Sequence, residues 1–118
     1  MPKLRSLFLT SNDPARTAQF YREVAQLEME RVGDAGSYQY WRLDEDGMQI
    51  AIHDAKAFAD YAYPPLAASN ATHLYFHIED RDAFLSHLNE LGIRPSRLDA
   101  VVVTVIDPDG RHVMFGTA

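Results

Sequence analysis

Histidines are the side chains in this sequence best suited to chemistry at neutral pH. An imidazole titrates near neutrality, so it can serve as a general base, a hydrogen-bonding anchor or a metal ligand. Four of the five histidines, His53, His73, His77 and His112, fall in segments whose alternating pattern predicts strands. The fifth, His87, falls on the polar side of a predicted helix and needs no functional role.

The other reactive side chains give weaker indications of a catalytic role. Asp107 and Asp109 resemble a catalytic pair, but they lie in Asp-Pro-Asp-Gly, a sequence typical of a tight turn. No spacing in the chain indicates a Ser-His-Asp triad or a pair of catalytic carboxylates. The chain has no cysteine, which excludes disulfides, thiolate zinc sites and a cysteine nucleophile. The candidate chemistry is therefore that of the strand histidines.

The elements that must position these histidines are predicted to occur twice. An Asp-x-Asp-Gly sequence at 44–47 and again at 107–110 separates two apolar runs, as the tip of a β-hairpin does. Earlier in each half, a strand-like run is followed by an aspartate that can cap a helix, Asp13 and Asp80 respectively. Chance similarity between two ordinary halves is the alternative, but the shared order favours a duplicated unit.

From this repeat we predict an α+β fold in which two βαβββ modules form a cupped mixed sheet with helices on its outer face. The modules span residues 1–54 and 71–118, and the helices are predicted near 13–27 and 80–91. Strands are predicted at 4–10, 29–32, 38–43, 48–53, 72–78, 101–106 and 111–115. The run at 101–106 is almost wholly apolar, which predicts burial on both of its faces.

Residues 55–70 are predicted to link the two modules. The segment is rich in alanine, and a short helix near 55–61, ended by Pro64 and Pro65, is consistent with its composition. Tyr61 and Tyr63 either pack within this linker or cover the mouth of a pocket.

Alternation along the strands sorts their side chains onto two faces. The apolar face, suited to lie beneath the helices, holds Leu7, Leu9, Ile50, Ile52, Leu74, Phe76, Ile78, Val113 and Phe115. The opposite face holds Ser6, Phe8, Thr10, Gln49, Ala51, His53, His73, Tyr75, His77, His112 and Met114. At 38–43 the pattern does not decide whether Trp41, or Tyr40 and Arg42, join this second face. Its mixture of aromatic and polar groups predicts a concave ligand site, with a solvated outer face as the alternative.

Charge and composition argue against two kinds of partner. The chain of 118 residues has a net charge of -6 and no basic stripe with which to bind nucleic acid. No apolar segment approaches the length of a membrane span, and the N-terminus lacks the pattern of a signal peptide. We therefore expect one cytoplasmic domain with no nucleic-acid or membrane partner.

The doubled βαβββ order gives the sequence a resemblance to a known family. Together with Asn12-Asp13, Phe20-Tyr21 and the Asp-Pro-Asp-Gly at 107–110, it resembles the vicinal oxygen chelate superfamily. This superfamily includes glyoxalase I, extradiol dioxygenases, and the bleomycin and fosfomycin resistance proteins. The resemblance implies two modules that form a cupped sheet. In metal-dependent members four inward side chains, usually histidine and glutamate, hold a divalent metal.

The present chain departs from that metal-binding pattern. The four ligand positions implied by the resemblance fall on Ser6, Ala51, His73 and Met114, of which only His73 matches. A catalytic divalent site ordinarily needs about three protein ligands. The histidines cannot readily replace those missing, since His73 and His77 are separated by roughly 13 Å of strand. His112 and Gln49 likewise lie roughly 7 Å along their strands from the ligand positions. We therefore expect no metal and no other cofactor.

The resulting hypothesis is a metal-free protein that binds a small organic ligand in its cup. The expected ligand-binding residues are Phe8, Gln49, His53, His73, Tyr75 and Met114. His73 is the best candidate for a catalytic role, or else it is a polar residue left in a cup without metal. A lyase or dioxygenase with atypical ligands is the alternative, and a module that only dimerises is a third interpretation. The resemblance and the apolar strand at 101–106 also predict a homodimer with two-fold symmetry.

Overall fold

The computed structural model describes residues 4–58 and 73–118, and within them the order of elements repeats once. The first module consists of β1 (Ser6–Ser11), α1 (Pro14–Glu23), β2 (Glu30–Val32), β3 (Tyr40–Glu45) and β4 (Met48–Asp54). The second consists of β5 (Leu74–His77), α2 (Arg81–Glu90), β6 (Arg97–Leu98), β7 (Val102–Ile106) and β8 (His112–Gly116). The predicted α+β fold of two βαβββ modules is confirmed. The two-residue strand β6 was not predicted, because alternation cannot be recognised over so short a segment.

Each module builds its own four-stranded mixed sheet. The strand orders are β1-β4-β3-β2 and β5-β8-β7-β6, so the first and last strands of each module lie side by side. Those two strands run parallel, whereas the remaining neighbours are antiparallel. In register, Phe8 pairs with Ala51 in the first sheet, and Tyr75 pairs with Met114 in the second.

The helix ends follow the local signals in the sequence. Asp13 and Asp80 each accept a hydrogen bond from the backbone three residues on, at 3.2 and 3.0 Å, and so cap α1 and α2. Helix α1 ends at Glu23, earlier than the predicted 27, because Gln26 takes a left-handed conformation with φ of 58°. The chain therefore turns back, and Leu27 still packs against the core.

The apolar face predicted from alternation forms the core. All nine of its residues are either buried or packed against the buried cluster. Phe84 of α2 stacks on Phe115 with ring centroids 4.4 Å apart, which fixes the helix to the second sheet. Burial of β7 on both faces is confirmed only at its centre. Ile106 is exposed because β6 pairs only with Val103 and Thr104, so that end of β7 has a neighbouring strand on the β8 side alone.

The turn at 107–110 joins the two modules. Its Asp107 is buried and accepts a hydrogen bond from the Tyr21 hydroxyl of α1 at 2.8 Å and from Arg111 at 2.7 Å. Asp109 accepts hydrogen bonds from the Thr17 hydroxyl at 2.5 Å and from the backbone of Asn12 at 3.2 Å. The two aspartates thus form the turn, as the sequence predicts, and also attach it to the first helix.

The polar contacts of this joint shift the pKa of two groups. Burial, followed by the neighbouring Asp107 carboxylate, raises the pKa of the Tyr21 hydroxyl far above its ordinary value. Burial alone would raise the pKa of Asp109, but hydrogen bonds from Thr17 and neighbouring residues hold it below its ordinary value. Both groups therefore stay in the form that the joint requires at neutral pH, a neutral phenol and a charged carboxylate.

A second contact between the modules involves the helices. The Nε2 atom of His87 lies 2.6 Å from the carbonyl oxygen of Glu23, at the C-terminal end of α1. The carbonyls at a helix end have no partner within the helix, so this contact satisfies one of them. His87 therefore has a structural contact rather than a chemical role.

The predicted linker falls mostly outside the described ranges. Ala55 to Phe58 form turns, while the remainder of the predicted helix near 55–61, and with it Tyr61 and Tyr63, lies outside the described residues. Within residues 4–58 and 73–118, neither helix is long and apolar enough to cross a membrane.

Candidate functional site

The face of the first sheet opposite the core carries the residues predicted to bind a ligand. Ala51 lies at its centre, fully buried, with Phe8 beside it on β1 and Arg42 beside it on β3. Trp41 pairs with Ile52 and packs against the core, so Tyr40 and Arg42 lie on the same face as Ala51. The structure thereby decides the orientation that the sequence pattern left open.

One end of this face is an aromatic cluster built around His53. We name the rings of Phe8, Tyr38, Tyr40 and Phe58 the His53 cluster. The His53 ring stacks on Tyr40 with centroids 5.0 Å apart, and it lies 4.7 Å from Phe8 and 5.0 Å from Phe58. Tyr38 lies 5.7 Å away. Such rings exclude water and offer flat apolar surface.

His53 itself is buried, with only 7% of the residue exposed. Its Nδ1 atom lies 2.6 Å from the Tyr38 hydroxyl oxygen, a short hydrogen bond. Its Nε2 atom is also buried, and no part of the described chain offers it a hydrogen-bond partner. Burial lowers the pKa of His53, so the imidazole is neutral at physiological pH. A buried polar atom without a partner costs about 1–3 kcal/mol, and native proteins keep few of them.

The other end of the same face is polar. Arg42 lies between two carboxylates, 2.8 Å from Glu30 and 3.6 Å from Asp44. Gln49 donates to Asp44 at 3.4 Å and accepts from the Ser6 hydroxyl at 3.5 Å. The first sheet therefore presents an aromatic end at His53 and a polar end at Gln49, separated by roughly 13 Å of β4.

The corresponding face of the second sheet is more exposed. His73 and His112 stack with ring centroids 5.3 Å apart, and both are exposed. Tyr75 is 46% exposed, lies across Gly116, and donates to the carbonyl of Ala118 at 3.1 Å. A Cβ at position 116 would collide with the Tyr75 hydroxyl, so glycine allows this ring to lie flat on the sheet.

The structure places the six predicted ligand-binding residues in three groups. Phe8 and His53 are in contact, while Gln49 belongs to the polar end of the same sheet. His73, Tyr75 and Met114 belong to the second sheet, where Tyr75 and Met114 are neighbours in register. Tyr38, Tyr40 and Phe58 were missed as site residues. Tyr40 could have been found from the alternation of β3, but Tyr38 and Phe58 lie outside regular strands and have no periodic signal.

The residues at the four metal-ligand positions do not fit a divalent metal. Ser6 is hydrogen-bonded to Gln49, Ala51 has no donor atom, and Met114 offers a soft thioether. Across the described residues, no group of three or more His, Asp or Glu side chains could hold an ion. His73 and His112 supply two nitrogens, short of the three protein ligands that a catalytic divalent site ordinarily has. The chemistry of this donor set therefore disagrees with the metal site of the superfamily.

Comparison with known proteins identifies the domain. A family model described as a glyoxalase-like domain matches residues 6–115. A search of curated proteins finds no match.

Solved structures share the fold over nearly the whole chain. A lactoylglutathione lyase from Agrobacterium tumefaciens matches with a TM-score of 0.69 at 20% identity, covering 97% of this chain and 92% of that one. A glyoxalase/bleomycin resistance protein/dioxygenase from Nocardioides matches with a TM-score of 0.71 at 17% identity, covering 98% and 82%. TnmS3, an antibiotic binding protein from Streptomyces sp. CB03234, matches with a TM-score of 0.67 at 15% identity, covering 98% and 95%. At these identities the likeness establishes the fold alone.

Proposed function

Because the chain belongs to the glyoxalase-like domain family, we propose that it binds a small organic ligand on the non-helical face of its sheets without a catalytic metal. The observation that carries this proposal is the combination of two features on that face. Three of the four metal-ligand positions implied by the resemblance, Ser6, Ala51 and Met114, have no adequate donor for a divalent metal. The same face carries exposed aromatic surface, with Phe8 53% and Tyr75 46% exposed.

A planar organic molecule suits this surface better than an ion does. Aromatic rings gain about 0.5–1.5 kcal/mol per well-placed ring contact, in addition to the apolar area they bury. Small-molecule sites typically combine such apolar walls with a few polar groups that fix orientation. Here the proposed apolar contacts are Phe8, Tyr75 and Met114, and the proposed polar contacts are Gln49, His53 and His73.

The family hosts both enzymes and binding proteins. Among the similar structures, one is a lyase and another is an antibiotic binding protein. The alternative function, a metal-dependent lyase or dioxygenase with atypical ligands, would have to use His73 together with His112, because these are the histidines in contact on the second sheet. Their exposure and the absence of a neighbouring carboxylate in the described residues favour the binding function.

The proposal is tested by titrating the purified protein with fluorenone, a flat tricyclic ketone, and following intrinsic fluorescence. We expect saturable binding with the same affinity in excess chelator and in excess zinc, because the proposed contacts involve no metal. His73→Ala serves in the same titration to measure the contribution of the second sheet. Binding that disappears in chelator and returns with zinc would contradict the proposal, as would the absence of saturable binding.

We also propose that the chain forms a homodimer with two-fold symmetry. The second module exposes Leu98, Val101 and Ile106 near its edge, apolar area that a partner would remove from water. Multi-angle light scattering is expected to give twice the mass of the chain, and Leu98→Asp is expected to shift it toward monomer. A wild-type protein that remains monomeric at high concentration would contradict this expectation.

A further inference from the structure

The His53 cluster surrounds a buried polar atom that has no hydrogen-bond partner among the described residues. Nε2 of His53 is buried with no hydrogen-bond partner in the described ranges, although the rest of the ring is held tightly. Tyr40 stacks on one side, Phe8 and Phe58 pack around it, and Tyr38 bonds Nδ1 at 2.6 Å. A phenylalanine would fill this space without the unpaired Nε2 atom, and an imidazole is needed only for the bond between Nδ1 and Tyr38. The imidazole therefore calls for an explanation beyond packing.

The hydrogen bond from Tyr38 determines which nitrogen carries the proton. A phenol is a better donor than acceptor, and a bare imidazole nitrogen is a better acceptor than a phenol oxygen. The Tyr38 hydroxyl therefore donates to Nδ1, and the single ring proton of the neutral imidazole lies on Nε2. The unpaired atom is consequently an N–H donor, which is free to donate to an acceptor on a bound molecule.

We propose that the Nε2–H group of His53 is the specificity-determining anchor of the ligand site, and that the ligand is an uncharged planar aromatic compound with a carbonyl or similar oxygen acceptor. This assignment rests on the proposed function. The acceptor is set by the N–H donor, and the planar aromatic character by the rings that surround it.

The ligand is uncharged at this end because the described residues around His53 offer no opposite charge. The four rings of the His53 cluster carry none, and His53 is neutral through burial. Arg42, a cation beside Ala51 on the same face, is already paired with Glu30 and Asp44. An ionised group brought against the cluster would lose its hydration without compensation.

Nε2 is buried, so a ligand reaches it only when a neighbouring group moves. Phe8 packs against the His53 ring and is 53% exposed, so its side chain has room to rotate outward. His73, by contrast, is not buried as His53 is. It is exposed beside His112, where water can replace any hydrogen bond that the ligand loses, so it contributes little to discrimination.

The test compares fluorenone with fluorene, which has the same ring system but no carbonyl. We expect the wild-type protein to bind fluorenone about tenfold more tightly than fluorene, because one buried hydrogen bond contributes about that factor to the affinity. His53→Phe keeps an aromatic ring and removes the donor, so the ratio of the two affinities is expected to fall to about one. His77→Phe is the matched control, because the same substitution is made at an exposed histidine of the second sheet. It is expected to keep the tenfold ratio.

Failure of this inference is distinguishable from failure of the proposed function. Saturable binding of both probes with equal affinity in the wild type would overturn the anchor while leaving the binding function intact. A tenfold ratio that persists in His53→Phe would overturn it as well. If neither probe binds, both the proposed function and the assignment of His53 as the anchor are contradicted.

A measurement on the wild-type protein covers the case in which His53→Phe does not fold. Nitrogen-15 spectra of the histidine rings are expected to show His53 as the neutral Nε2–H tautomer. The Nε2 resonance is expected to shift on addition of fluorenone and to stay unchanged with an equal occupancy of fluorene. An Nδ1–H tautomer, or equal shifts with the two probes, would overturn the assignment.

Discussion

Replacing Asp107 with alanine is expected to lower the free energy of unfolding by about 3–5 kcal/mol, because it leaves buried donors without their acceptor. The Asp107 side chain is fully buried, and its Oδ2 atom accepts hydrogen bonds from the Tyr21 hydroxyl at 2.8 Å and from Arg111 at 2.7 Å. Its Oδ1 atom accepts from the backbone of Asp109 and of Arg111, both at 2.9 Å. Alanine removes all four acceptor contacts at once. Urea denaturation followed by circular dichroism measures the loss.

The chain contains its own control for this substitution. Asp44 occupies the same position in the other Asp-x-Asp-Gly turn, but its side chain is largely exposed, and among the described residues it contacts Gln49 and Arg42 on the surface. Asp44→Ala is therefore expected to cost less than about 1 kcal/mol. Equal losses for the two variants would contradict the role of the 107–110 turn as the joint between the modules.

Gly33→Ala is expected to lower the free energy of unfolding by about 2–4 kcal/mol and to weaken fluorenone binding, because the loop that carries Tyr38 can no longer close. Gly33 has φ of +100°, a conformation that alanine rarely adopts. A Cβ at this position would also meet the backbone carbonyl oxygen of Tyr38, which cannot move aside as a side chain can. Displacement of Tyr38 would break its hydrogen bond to His53.

Gly36 provides the matched control within the same loop. It also has positive φ, +87°, but a Cβ there would meet no atom within 4 Å. Gly36→Ala is therefore expected to cost about 1 kcal/mol from backbone strain alone and to leave fluorenone affinity unchanged. Denaturation and fluorenone titration of the two variants check both effects. Equal effects of Gly33→Ala and Gly36→Ala in both measurements would contradict the role of Gly33 in closing this loop.

Local signals predicted most of the fold, because they depend on neighbours in sequence. Asp13 and Asp80 cap helices through contacts three residues away, and Asp46-Gly47 forms a hairpin turn with φ of 50° and 78°. Alternation placed all nine apolar strand residues in or against the core. These features need no knowledge of distant parts of the chain.

Contacts between distant residues could not be predicted in the same way. The turn chemistry of Asp107 is local, but its bond to Tyr21 joins residues 86 positions apart in the chain. The His53 cluster likewise depends on Tyr38 and Phe58, which follow no strand period. Neither the Asp107–Tyr21 bond nor the His53 cluster could be predicted from alternation, because a periodic pattern describes a single element and not the residues packed against it.

The residues predicted to bind a ligand are brought together only in part. Phe8 and His53 are in contact, whereas Gln49 belongs to a polar group at the other end of the sheet. The resemblance to the superfamily favoured His73, because it occupies one of the ligand positions that the resemblance implies. Burial points instead to His53, and burial of a histidine cannot be read from sequence alone.

The metal content of the native protein tests the central claim most directly. The protein is purified without affinity tags or chelators from cells supplied with zinc, manganese, nickel and iron, and its metals are counted by mass spectrometry. We predict that it holds far less than one ion per chain, because Ser6, Ala51 and Met114 cannot complete a site with His73. One tightly held divalent ion per chain, lost in His73→Ala, would contradict a metal-free binding protein and support the enzyme alternative.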